Sequence, residues 1–227
     1  MGEVALVCGA GGALGQAVVS AFALRGDRVV AAARRPLTVD PIETWTGSVR
    51  SEVVDLAAPD EVEALWDRLA GHGERPRWLV NTVGGFGGGD VAGTEPEDYR
   101  RLLDLNLATT WWSCGIAARR MEAGGAIVNV SSRAAVSGGA KAAVYAVAKA
   151  GVVRLTQVLA EELASKSIRV NVILPSVMDT ADNRASMSTA AMAHAVPTED
   201  VAAVVTHLCS DAARAITGAT IPVYGMA

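Results

Sequence analysis

Short apolar runs alternate along this chain with longer stretches in which apolar residues recur every three or four positions. Val4–Cys8 is the first run and reads as a strand buried on both faces. Residues 16–24 follow with helical spacing, and Arg28–Ala33 returns to the strand pattern. Residues 36–47 are polar and irregular, and 52–54 read as a third short strand. Residues 59–69 set Val62, Leu65, Trp66 and Leu69 on one helical stripe that starts near Pro59 or Asp60. A fourth strand covers 78–80, and 97–121 are mostly helical. Within that helix Asn106 stands among leucines, as a buried residue bonded to a carbonyl or as a break with a function. Ala126–Val130 is β-branched and predicts a strand ending at Ser131-Ser132. A helix carrying Tyr145 and Lys149 then runs to about Lys166, and 170–174 form a strand closed by Pro175.

This alternation predicts the α/β class: a single Rossmann-type domain over 1–227, a doubly wound parallel sheet of about seven strands with helices on both faces. Ligands of such sheets sit beyond the carboxyl ends of the strands, and Gly9, Asn81, Ser132 and Pro175 all fall there. A net charge of -4 with scattered Lys and Arg argues against a nucleic-acid partner. Cys8, Cys114 and Cys209 are odd in number and far apart, and His72, His194 and His207 show no ligand spacing, so neither a disulfide framework nor a metal is expected. No targeting segment and no long apolar run is visible, so a soluble, cytoplasmic protein with no membrane partner is expected.

The first strand runs into Gly9, Gly11, Gly12 and Gly15 and then a helix, the arrangement that brings backbone amides and a helix N-terminus up to a pyrophosphate. The second strand ends in Arg34 and Arg35 rather than an acid. Arginine pairs with the 2′-phosphate of NADP where a carboxylate would accept the 2′-hydroxyl of NAD, so the chain leans towards NADP with NAD as the alternative. Residues 84–90 hold five glycines around Phe86 and form a candidate lid or pocket wall. Tyr145 and Lys149 stand one helical turn apart. Bringing a phenol from about 10 to about 7 takes about 4 kcal/mol of anion stabilisation, which one ammonium at about 4 Å supplies at an effective dielectric of about 20. The pair is thus a candidate for proton transfer.

Together these residues resemble the short-chain dehydrogenase/reductase family over nearly the whole chain. Cys8-Gly9-Ala10-Gly11-Gly12-Ala13-Leu14-Gly15 is similar to its TGxxxGxG loop, and Asn81-Thr82-Val83-Gly84 to its NNAG. Asn106, Ser132, Tyr145 and Lys149 match its catalytic tetrad, with the family's 13-residue interval between Ser132 and Tyr145. Landmarks near the end are Pro197-Thr198-Glu199-Asp200-Val201-Ala202, Ser210-Asp211 and Ile216-Thr217-Gly218. Cys8, Ala13, Thr82, Val83 and Ser176 depart from the pattern by small-for-small exchanges. A nearer resemblance, carried by residues 11–15, 83–89 and 174–187, is to quinonoid dihydropteridine reductase, although Arg34 and Ser132 differ from that subgroup.

The resemblance implies NAD(P)-dependent hydride transfer on a small-molecule carbonyl or alcohol. Tyr145 would exchange the proton and Ser132 would hold the oxygen. Lys149 would lower the phenol pKa and hold the ribose, and Asn106 would support a water-linked proton path. Cofactor contacts would come from Gly9, Gly11, Gly12, Ala13, Leu14, Gly15, Arg34, Arg35, Asp55, Leu56, Asn81, Val83, Gly84, Tyr145, Lys149, Pro175 and Val177, with Asp55 meeting the adenine. Residues 176–197 would form a short substrate lid, and a homodimer or homotetramer is implied. Reduction of a quinonoid pterin or related imine is the second enzymatic reading; a non-catalytic dinucleotide sensor is the third, disfavoured by the intact Ser132, Tyr145 and Lys149.

Overall fold

The computed structural model describes residues 2–37, 43–137 and 140–226. Residues 38–42 of the irregular stretch, and Ala227 at the chain's end, lie outside them. The elements are β1 (Val4–Cys8), α1 (Ala13–Leu24), β2 (Arg28–Ala33), β3 (Ser48–Val53), α2 (Pro59–Gly71), β4 (Pro76–Asn81) and α3 (Pro96–Leu103). A π-helical turn, Asp104–Ala108, joins α3 to α4 (Thr109–Arg120). Then come β5 (Ala126–Val130), α5 (Ala143–Glu162), β6 (Arg169–Pro175), β7 (Met178–Asp179), α6 (Ala181–Ser186), α7 (Thr189–Met192), β8 (Val196–Pro197), α8 (Thr198–Leu208) and β9 (Thr220–Val223).

Seven strands form one parallel sheet in the order β3-β2-β1-β4-β5-β6-β9. The order reverses at β1: its successor β2 lies on one side and β4 on the other. The crevice of a doubly wound sheet opens at that reversal, which puts Gly9 and Asn81, just past β1 and at the end of β4, beside each other.

Alternation along the buried strands divides the core in two. Val4, Leu6 and Cys8 of β1 pack with Leu65 and Leu69 of α2, Cys114 of α4 and Leu155 and Leu159 of α5. Ala5 and Val7 face the other way, against Val18 and Phe22 of α1 and Val201 and Val205 of α8. Each such side chain taken fully from water contributes about 1.5–3 kcal/mol, which is why the strand run needs no polar position. Helix α2 opens on Pro59 with Asp60 and Glu61 in its first turn and Arg68 in its last, all favourable to the helix dipole.

The boundaries that depart most from the sequence reading are those of β3 and α5. β3 begins at Ser48, not Glu52, and pairs in register with β2 from Arg28↔Ser48 to Ala33↔Val53. It is an edge strand whose polar residues are held by ion pairs, Arg50 with Glu52 and Glu74, and Arg68 with Glu52, so it carries no continuous apolar run to announce it. α5 ends at Glu162 and is followed by a 3-10 turn, Ala164–Lys166, closed by Ser167 at φ 53. Among the described residues, α5 is the one helix long and apolar enough, by length and composition, to cross a membrane. Here its Val152, Leu155 and Leu159 pack into the core.

Candidate active site

Loop geometry at the end of β1 follows from close backbone approach. Gly9 and Ala10 donate to Ala32 O at 2.9 and 3.1 Å, tying the loop to β2. Gly9 has φ 87, and a Cβ there would lie 2.8 Å from Val83 N. A Cβ on Gly15 would lie 2.2 Å from Gly9 O, so α1 begins in contact with the loop only because that position is glycine. Gly11, Gly12 and Ala13 are exposed while Leu14 is buried, and no side chain caps the first turn of α1. Backbone amides at an uncapped N-terminus with no side chain in front of them fit a pyrophosphate.

Arg34 and Arg35 follow β2 directly, are exposed, and have no ion-pair partner among the described residues. Gly11 packs near Ala33, so the two arginines leave the sheet beside the glycine loop. Asp55 is exposed beyond β3, accepting from Ala57 N at 3.0 Å, and Leu56 is buried behind it. Pro175 ends β6; Val177 accepts from Val196 N at 2.8 Å, which together with the β7–β8 pair closes the base of the 176–197 segment.

Asn81 is 2% exposed, and its amide faces inward. It donates to Asn129 Oδ1 at 2.8 Å across the β4–β5 register and to Cys114 Sγ at 3.3 Å, and Asn129 passes the chain on to Thr156 Oγ at 2.9 Å. The residue thus fastens the sheet beneath the crevice, and its Oδ1 is buried without a partner. Val83 packs against the same core layer, leaving Gly84 at the crevice.

Asn106 lies in the π-helical turn, fully buried. Its Oδ1 accepts from Gly85 N at 3.0 Å while its Nδ2 donates to Gly85 O at 3.0 Å and Leu102 O at 3.1 Å. The side chain therefore clamps the glycine-rich loop, and both of its amide protons are used. The extra residue of a π turn is what lets a side chain in mid-helix reach sideways in this way. The sequence posed Asn106 as a carbonyl-bonded buried residue or a helix break; it is both.

Ser132, Tyr145 and Lys149 come together at the end of β5. Ser132 Oγ accepts from Ala134 N at 3.2 Å, and its hydroxyl neighbours the Tyr145 phenol. Lys149 is 3% exposed and donates from Nζ to Val130 O at 3.0 Å. A Cβ on Gly84 would lie 2.8 Å from Lys149 Nζ and 2.9 Å from Asn106 Oδ1, so both groups face that glycine. Burial pulls the Lys149 pKa down to about 8.

For Tyr145 the shift in this structure runs upward, opposite to the lowering by Lys149 that the resemblance implies. Burial pushes the phenol pKa up, and the hydrogen bond from Ser132 offsets this in part. The reason is geometric, since the Lys149 ammonium is turned to the Val130 carbonyl at the strand end. Sequence reasoning also gave no individual role to Phe86, whose ring meets Tyr145 edge-on at 5.4 Å and 65°. A lone aromatic within a glycine run was the available signal.

A family model described as "Enoyl-(Acyl carrier protein) reductase" matches residues 9–225. The chain belongs to the short-chain dehydrogenase/reductase family. This is a family of NAD(P)-dependent oxidoreductases, and the chain's relatives are named accordingly. An uncharacterized short-chain type dehydrogenase/reductase of Sinorhizobium fredii is 34% identical over 99% of this chain, which spans 43% of that longer protein. D-threitol dehydrogenase of Mycolicibacterium smegmatis is 31% identical, covering 99% of this chain and 92% of its own. L-xylulose reductase of Bos taurus is 34% identical, covering 99% and 96%. Among solved structures, a putative short-chain dehydrogenase/reductase from Burkholderia xenovorans superposes with a TM-score of 0.89 at 30% identity, over 99% of this chain and 96% of that one. A blue fluorescent protein from a metagenomic library, in complex with NADPH, superposes with a TM-score of 0.87 at 25% identity, over 99% and 97%. The nearer resemblance to quinonoid dihydropteridine reductase is not supported by these comparisons. Membership in the short-chain dehydrogenase/reductase family rests on the match over residues 9–225.

Proposed function

We propose that the chain is an NADPH-dependent reductase of a small carbonyl compound, running in reverse as an alcohol dehydrogenase. The observation that carries this reading is the convergence of the Tyr145 phenol, the Ser132 hydroxyl and the buried Lys149 ammonium at one strand end, facing the crevice at the sheet's reversal. NADPH, when bound, supplies the hydride that reaches the carbonyl carbon. Tyr145 delivers its phenolic proton to the carbonyl oxygen, and Ser132 donates a hydrogen bond to the same oxygen as negative charge develops there. Lys149 has two donors left beyond the one on Val130 O, enough to hold a ribose hydroxyl and to return a proton towards Tyr145. Asn106, with its side chain committed to Gly85 and Leu102, acts by shaping the loop over the site.

Preference for NADP over NAD is supported by Arg34 and Arg35, exposed beside the glycine loop and without an ion-pair partner among the described residues, and by the NADPH complex of a structural neighbour. Self-association as a dimer or tetramer is supported by Trp111, Trp112 and Val147, exposed at 51%, 37% and 64% on α4 and α5; Trp111 and Trp112 border an apolar groove with Leu103 and Leu107. The test of the central reading is Tyr145→Phe. The variant is expected to bind NADPH as the parent does, by fluorescence titration, and to lose at least about a hundredfold in carbonyl turnover. Turnover within a few-fold of the parent removes Tyr145 as the proton donor. Including a quinonoid dihydropterin among the substrates separates the imine reading, for which Ser132→Ala should be tolerated.

A further inference from the structure

Large apolar side chains exposed among the described residues include a group on the loops that leave the carboxyl ends of the central strands. Phe86 and Val91 follow β4, Val136 follows β5 and Met187 follows β6. Phe86 stands out because it is 74% exposed and yet held in place. On one side the Asn106 amide grips Gly85 at both N and O. On the other, Gly89 N donates to Lys141 O at 2.8 Å and Ala143 N donates to Gly89 O at 3.0 Å. Only Phe86, Gly87 and Gly88 bridge these two fixed points, and Gly87 lies so close to Leu102 that a Cβ would come within 2.5 Å of its Cδ2. The backbone that carries Phe86 is therefore pinned on both sides, and its ring rests edge-on against that of the proton donor with centroids 5.4 Å apart.

An apolar ring kept in water at a fixed place beside a reacting group is surface that a bound compound can take out of water. The arch around it is all glycine, so it presents no side-chain donor or acceptor to a hydroxylated substrate. We propose that Phe86 is a specificity-determining residue that selects carbonyl compounds bearing a flat apolar group, aryl ketones and aryl diketones, over polyhydroxylated ones. The inference rests on the carbonyl-reductase reading and sets this chain apart from relatives named for threitol and xylulose.

The test follows NADPH oxidation by the full chain with 1-phenyl-1,2-propanedione and with erythrulose, in the parent, Phe86→Ala and Phe86→Leu. The expected result is a kcat/KM at least about tenfold higher for the aryl diketone in the parent, as one well-placed apolar contact can give. Phe86→Ala should remove that preference through a raised KM for the diketone, bringing the ratio of the two kcat/KM values towards one, and Phe86→Leu should fall between. Because Phe86 also touches Tyr145, the ratio of the two substrates is the readout; a loss that falls equally on both overturns the proposal. So does a parent that prefers erythrulose, which leaves the carbonyl-reductase reading intact. Bound NADPH with no turnover of either compound, or of a wider ketone panel, overturns both.

Discussion

An ammonium group only 3% exposed gives up most of its hydration, and Lys149 has one backbone carbonyl, Val130 O, in return. Its pKa of about 8 is the consequence. The phenol four residues earlier is shifted the other way, because burial opposes its anion. Under the proposed mechanism Tyr145 therefore holds its proton throughout the neutral range, the form a carbonyl reductase needs. Arg34 presents the opposite case, an exposed cation with no ion-pair partner among the described residues. A charge-assisted bond to a 2′-phosphate is worth about 1.5–3 kcal/mol, so Arg34→Ala is expected to raise KM for NADPH by about 10- to 100-fold and to leave KM for NADH nearly unchanged. Equal effects on the two coenzymes, measured by initial rates, would remove Arg34 from 2′-phosphate recognition. The identities of these residues could be read from the sequence because chemistry fixes residue type. Their partners could not: nothing in a Tyr and a Lys one turn apart says that the Lys will turn to the strand end, nor in Asn106 that it will hold Gly85 twice.

Elements succeed or fail by what lies against them, and the glycines mark where backbone meets backbone. At the start of α1, a Cβ on Gly15 would sit 2.2 Å from Gly9 O and 2.8 Å from Ala10 Cα, neither of which is a side chain that can swing aside. Gly71, the last residue of α2, has nothing within 4 Å of the same position and no positive φ. Gly15→Ala is therefore expected to cost stability by about 2 kcal/mol or more, as overpacking does, and to weaken coenzyme binding. Gly71→Ala is expected to add up to about 0.5–1 kcal/mol by helix propensity. Urea melts of both variants check the pair, and a neutral Gly15→Ala would mean that the loop and α1 separate more easily than their contacts indicate. The same principle separates the elements that the sequence showed from those it hid. β1, β2 and β5 are buried on both faces and so are written as apolar runs, whereas β3 lies at the edge, and its Arg50 and Glu52 are satisfied by Glu74 and Arg68 from elsewhere in the chain. A π turn leaves no periodic trace at all beyond the single out-of-place Asn106.

Across the whole molecule, the buried titratable groups set how stability depends on pH. Burial raises the thiol of Cys8 from 9.0 to about 11 and those of Cys114 and Cys209 from 9.0 to about 12. A group whose pKa is higher in the folded chain keeps its proton there after the unfolded chain has lost it, so the thiols weaken the fold as pH rises above about 9. Lys149 acts oppositely: its folded value of about 8 lies below the ordinary 10.5, so between those limits the folded chain holds fewer protons and stability rises with pH. Between about pH 8 and 9 the lysine dominates, and above 9 the three thiols together outweigh it, so the slope turns negative. The unfolding free energy measured by urea titration should therefore pass through a maximum between about pH 8 and 9 and fall steeply beyond it. Cys209→Ala should make the alkaline fall shallower, and Lys149→Met should abolish the rise that precedes it. A stability that climbs steadily to pH 10 would contradict the burial of all three thiols, since no exposed cysteine could hold its proton that far into the alkaline range.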